Sequence, residues 1–97
     1  MAMKISDLYD EAKERGLTVH PCMLSDDTMC AFHLDLPQHN CLAIDRRQGW
    51  FDIRAVLNDD RRSYCSIVLF DHLTAEAVIA ILQVAATNED NQPKEAQ

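Results

Sequence analysis

The sequence predicts an α+β domain: an N-terminal helix, an antiparallel meander of about five strands, and a C-terminal helix packed on the sheet. Three observations carry that expectation. A helix at 75–87 is apolar on nearly every side, broken only by Glu76 and Gln83. Within segments between positions 17 and 70, most clearly 29–36 and 50–57, apolar residues recur at every second position, the period of a strand with two unlike faces. Short polar turns separate those segments, and sequential strands with short turns pair as antiparallel hairpins.

The first helix carries its own punctuation. Ser6 is placed to cap it, Asp7, Asp10 and Glu11 load its positive end, and Lys13 and Arg15 its negative end. Gly16 follows as the residue that closes a helix in the left-handed region. Ile5, Leu8, Tyr9 and Ala12 form one apolar stripe.

Five strand-like segments come next. The first, 17–22, contains Pro21, which suits an edge or a strand end. The second, 29–36, puts Cys30, Phe32, Leu34 and Leu36 on one face and Met29, Ala31, His33 and Asp35 on the other. The turn residues Pro37, Gln38, His39 and Asn40 lead to the third, 41–46. The fourth, 50–57, starts after Gly49, and the fifth, 63–70, follows a loop at 58–62. A five-residue loop there sets Ile53 opposite Ile67, Phe51 opposite Leu69 and Ala55 opposite Cys65, which makes that face the core. The reverse face then carries Trp50, Val56, Tyr64, Val68 and Phe70, too apolar a set for a face left in water.

The last helix starts at Thr74, a good N-cap, with Glu76 at the positive end and Leu73 and Val78 spaced as a hydrophobic staple. Its bulky residues Val78, Ile79, Ile81, Leu82 and Val84 span more than half its circumference. The sequence therefore divides into one domain at 1–87 and a polar tail at 88–97, read as disordered.

Composition narrows the function. The chain has 97 residues, 47% hydrophobic and 26% charged, which is globular and enough for one modest core. A net charge of −7 argues against nucleic acid and anionic membranes as partners and allows a basic protein surface. There is no secretory leader pattern and no apolar run long enough to span a bilayer. The 4 cysteines, Cys22, Cys30, Cys41 and Cys65, are therefore expected as thiols in a reducing cytoplasm.

Candidate chemistry is sparse. Cys22, Cys30, His33, His39 and Cys41 lie close in sequence, with Cys65 and His72 further on. Zinc wants four converging ligands, but strand alternation puts Cys30 and His33 on opposite faces. A His33–Asp45 pair forms if Leu34 lies across from Ile44, with Arg54 as a third member, yet no nucleophile stands beside it. Glycines are too few for a phosphate loop, and no zincin or hydrolase motif occurs. The pairs Arg46–Arg47 and Arg61–Arg62 are read as loop charges balanced by neighbouring aspartates.

Residues 8–45 contain Leu-Tyr-Asp-Glu-Ala-Lys-Glu-Arg-Gly-Leu-Thr-Val at 8–19 and Cys-Leu-Ala-Ile-Asp at 41–45. This stretch resembles the opening of the ImmA/IrrE family of small phage and mobile-element metallopeptidases. The resemblance implies a helix, a glycine, a strand and a hairpin. The family's H-E-x-x-H helix is absent, and nothing at 46–97 matches its zinc ligands or catalytic glutamate, so no site is carried over.

These observations lead to one expectation and one alternative. The expectation is a non-enzymatic acidic protein without a cofactor or metal. It acts by protein–protein contact as a homodimeric accessory or regulatory protein, such as a phage-encoded inhibitor. The interface is expected at Trp50, Val56, Tyr64, Val68, Phe70, Ile79 and Val84. The alternative is a metal-binding or thiol-dependent protein using Cys22, Cys30, Cys41 and a histidine.

Overall fold

The computed structural model describes residues 3–58 and 64–90, apart from the side chains of 58, 64 and 88–90. The elements are α1 (Ile5–Glu14), β1 (Val19–Met23), β2 (Met29–Asp35), a 3-10 turn (Pro37–His39), β3 (Cys41–Arg47), β4 (Trp50–Asn58), β5 (Tyr64–Leu73) and α2 (Ala75–Asp90). The strands form one antiparallel sheet in the order β1-β2-β3-β4-β5, the meander that the alternation implies. The expected loop at 58–62 and the pair Arg61–Arg62 fall largely outside the described residues.

Both helices are punctuated locally. Lys4, not Ser6, is the N-cap of α1, and its N–H donates to the Asp7 carboxylate at 3.4 Å. The helix starts early because Ile5 is buried with Leu8 and Ala12, and those three share a face only if Ile5 is already helical. Gly16 has φ +85°, with its N–H bonded to the Lys13 carbonyl and that of Leu17 to the Ala12 carbonyl, which ends the helix as expected. At α2, Thr74 Oγ1 accepts the Ala77 N–H at 3.2 Å. This helix continues to Asp90 rather than stopping at 87, and the rest of the polar tail, 91–97, lies outside the described residues.

The β3–β4 turn has two central residues, Gln48 (φ +52°) and Gly49 (φ +87°). Positive φ at both is the turn whose twist matches the flanking strands. Register departs from expectation in two hairpins. Leu34 pairs with Leu42 and Phe32 with Ile44, so Asp45 sits opposite Ala31 rather than His33. In the β4–β5 hairpin, Ala55 pairs with Ile67 and Leu57 with Cys65. Two irregularities, around Ile53 and Arg54 and around Asp52, then shift the ladder so that Ile53 meets Phe70 and Phe51 meets Leu73.

Asp52 explains how the second irregularity is tolerated. It is buried, and its Oδ1 accepts the backbone N–H of His72 at 3.4 Å while Arg47 Nε lies 3.5 Å from Oδ2. The carboxylate thus satisfies a backbone donor that the broken ladder leaves over, and an arginine balances its charge.

The core occupies one face of the sheet. Val19, Phe32, Leu34, Leu42, Ile44, Phe51, Ile53 and Ala55 pack with Ile5, Leu8 and Ala12 of α1 and Val78, Ile79 and Leu82 of α2. Tyr9 meets Phe32 edge to face, with centroids 5.6 Å apart. The main contacts of α1 are with β1 and β2, and those of α2 with β4. A helix about 10 Å wide covers roughly two strands spaced ~4.8 Å apart, so two helices leave a fifth strand without a roof. That strand is β5.

Candidate functional site

The uncovered strand is apolar. Ile67, Val68, Leu69 and Phe70 are each 47–51% exposed, and Val84 on α2 is 59% exposed. Pairing opposite Ala55 and Ile53 puts Ile67 and Phe70 on the helix side of the sheet. Phe70 there lines an apolar groove of about 440 Å³ with Ala80, Ile81, Val84 and Ala85. Residues 65–70 carry no charge, although the chain has net charge −7. Together these residues make one edge of the sheet an exposed apolar surface, of the kind that on a monomer often marks a contact site.

The expected interface residues meet different fates. Phe70 and Val84 lie in the groove, and Val68 is half-exposed on the sheet's other face, opposite Arg54. The β5 irregularity moves Phe70 to the helix side, away from the face it was expected to share with Val56 and Val68. Val56 is only half-buried there, between Cys41 and Ser66. Trp50 is exposed at the start of β4, its ring 6.3 Å from that of His72. Ile79 is buried in the core, where it also borders the cleft between α1 and α2 with Met3, Glu11 and Arg15. It is not part of the exposed surface. The side chain of Tyr64 lies outside the described residues.

Ile67 and Leu69 were expected in the core and are half-exposed instead, although Ile67 does lie on the core side of the sheet. The missed signal is arithmetic on the element list: five strands, two helices and β5 at the edge.

The helix-free face holds the polar chemistry. His20 and His33 are direct cross-strand partners with ring centroids 5.3 Å apart. Asp35 bridges them: Oδ2 lies 3.2 Å from His20 Nε2 and Oδ1 lies 3.3 Å from His33 Nε2. Cys22 Sγ is 3.9 Å from His33 Nδ1, and the Cys30 thiol donates to the Cys22 carbonyl at 3.3 Å. Asp45 pairs with Arg54 at 3.5 Å, two residues along the ladder from His33, so the expected His33–Asp45 pair does not form. The spacing His33-x-Asp35 on one strand is the signal that would have found the true partner.

The thiol, imidazole and carboxylate of Cys22, His33 and Asp35 form a chain, but the thiol is not activated. Burial, then the neighbouring Cys30 and Asp45, push Cys22 above the ordinary thiol range. Burial, then Asp35 and Cys22, do the same to Cys41. A nucleophilic cysteine needs the opposite shift. Among the described residues, no three of His, Cys, Asp and Glu are arranged to hold a metal ion. Among them, too, no helix is long and apolar enough to cross a membrane.

A second concavity, of about 510 Å³, lies beside the 3-10 turn and is lined by His33, Asp35, His39 and Cys41 among others. Gln38 and His39 both hold φ +64° there, a strained turn for residues other than glycine.

No family model, curated protein or solved structure matches the chain.

Proposed function

We propose that this chain works by protein–protein contact, as a small acidic accessory or regulatory protein without catalytic machinery of its own, and that it self-associates. One observation carries the reading: the apolar, uncharged stretch 65–70 of the edge strand and the adjoining flank of α2 stand half-exposed together. Burying such side chains against a partner is favourable by about 25 cal/mol for each Å² removed from water. Beside the cluster of His20, His33 and Asp35, partial burial pushes the Cys22 thiol above its ordinary range, which disfavours a nucleophilic role for it. Four free thiols suit a reducing compartment such as the cytoplasm.

Light scattering on the eluting protein tests self-association. The expected mass at tens of micromolar is about twice the 11.0 kDa of the chain. A mass of 11.0 kDa at millimolar concentration refutes self-association.

A further inference from the structure

We infer that the partner at this surface is a second copy of the chain, joined β5 to β5 in antiparallel register about a two-fold axis perpendicular to the sheet. The inference rests on the contact reading above and names its occupant and geometry.

The two edges of the sheet differ in a way that selects this pairing. β1 is five residues long, contains Pro21, and shifts register between Cys22 and Met23. Proline, short length and irregularity each blunt an edge against further strands. β5 is ten residues long, and its stretch from Tyr64 to Val68 pairs regularly with Asn58 to Arg54 of β4. Its outer backbone groups face no other strand among the described residues. A regular, uncharged and apolar stretch of edge, as β5 presents at 64–68 before its own irregularities near Phe70, is an aggregation site unless something closes it. Pairing β5 of one copy with β1 of the next would propagate without end, and Pro21 opposes it. Pairing β5 with β5 closes after one step and leaves only the two blunted β1 edges.

The same operator covers the groove. A perpendicular two-fold keeps all helices on one side of a continuous ten-stranded sheet. The β4 strands of the two copies then lie about 14 Å apart, with both β5 strands between them. Ile67 and Phe70 of each copy fill that gap beneath the α2 flanks at Ile81 and Val84.

Charge and area agree with a second copy. The chain is acidic overall, yet residues 65–70 place no like charges across the seam. The tail at 91–97 contains no large apolar residue to serve as an internal cover. Half-exposed Ile67, Val68, Leu69, Phe70 and Val84 together expose on the order of 500 Å² per copy, side chains and backbone included. Complete cover of that surface in both copies comes to ~1,000 Å², the lower limit for a specific interface.

The test combines Ile67→Lys, Met23→Lys as a control on the opposite edge, and amide hydrogen exchange of the wild-type protein. Both residues are about half-exposed, so the lysines sit in water in a monomer. Ile67→Lys sets two ammonium groups against each other at the seam, so dimer dissociation is expected to rise at least 100-fold with an unchanged far-UV spectrum. Met23→Lys leaves the dimer intact. In the wild type, the β5 amides that point away from β4 are expected to be protected at high concentration and to exchange freely at low concentration.

A dimer that withstands Ile67→Lys, with those amides exchanging freely, overturns the edge pairing and leaves the contact reading standing. A wild type that is monomeric throughout overturns both self-association and its geometry. If Ile67→Lys loses its fold, Val68→Lys on the opposite face takes its place and the wild-type exchange pattern decides.

Discussion

Leu82 and Val84 lie two positions apart on α2 and answer to different forces. Leu82 is fully buried among the core residues, whereas Val84 is 59% exposed beside Phe70. Truncating a buried leucine to alanine removes its transfer free energy and leaves a cavity, together about 2–5 kcal/mol. With no exposed surface to relax into, Leu82→Ala is expected to cost about 3 kcal/mol. That is a large part of the 5–15 kcal/mol that holds a domain of this size. It lowers Tm by about 12–24 °C and the urea midpoint by roughly 1–3 M.

Val84→Ala removes two methyl carbons that are mostly in water, a loss of about 0.6 kcal/mol. Alanine's better helix propensity returns about 0.5 kcal/mol, so the fold is expected to change by less than 0.5 kcal/mol. The assay is urea unfolding followed by far-UV circular dichroism and by emission from Trp50, the single tryptophan. The protein is held dilute enough to be monomeric, since association adds concentration-dependent stability. A cost above 1.5 kcal/mol for Val84→Ala, or below 1 kcal/mol for Leu82→Ala, refutes the division of α2 into a core side and a contact side.

Two further outcomes follow from local features. Thr74→Ala removes the acceptor for the Ala77 N–H and is expected to cost about 1 kcal/mol, read from thermal unfolding. Thr74→Asp restores most of that stability, and equal stability of wild type and alanine variant argues that the cap contributes nothing. The raised thiols give a pH dependence. Because Cys22 and Cys41 ionise above their ordinary 9.0 in the folded chain, their contribution is complete below that pH. Above it the unfolded chain sheds these protons first and stability falls as pH rises. Unfolding free energy measured from pH 8 to 10.5 is expected to fall less steeply in Cys22→Ala and Cys41→Ala than in the wild type. Parallel slopes remove the thiols from the account.

Much of the fold is legible from short-range signals. Alternation along 29–36 and 50–57 marks strands because successive side chains on an extended backbone point to opposite faces. Thr74 and Gly16 mark helix ends because a helix leaves unpaired donors at its start and needs a left-handed residue at its close. Each of these signals involves residues within a few positions of one another, so no tertiary information is required. The candidate surface was half legible. Phe70 and Val84 stood out as apolar residues in excess of what a small core needs, yet Ile67 and Leu69 were placed in that core and Ile79 outside it.

What the sequence by itself determined is the order and type of the elements: a helix, five strands in a meander and a helix, with the apolar face of each. Only the tertiary structure decided register and cover. Register in the β4–β5 hairpin depends on two irregularities and on a buried Asp52 that accepts the His72 N–H, a partnership between residues 20 positions apart. Cover depends on the width of two helices laid across a sheet of five strands, which no local pattern records. Apolar periodicity states which residues seek burial. The geometry of the packed layers decides which of them find it within one chain, and β5 does not.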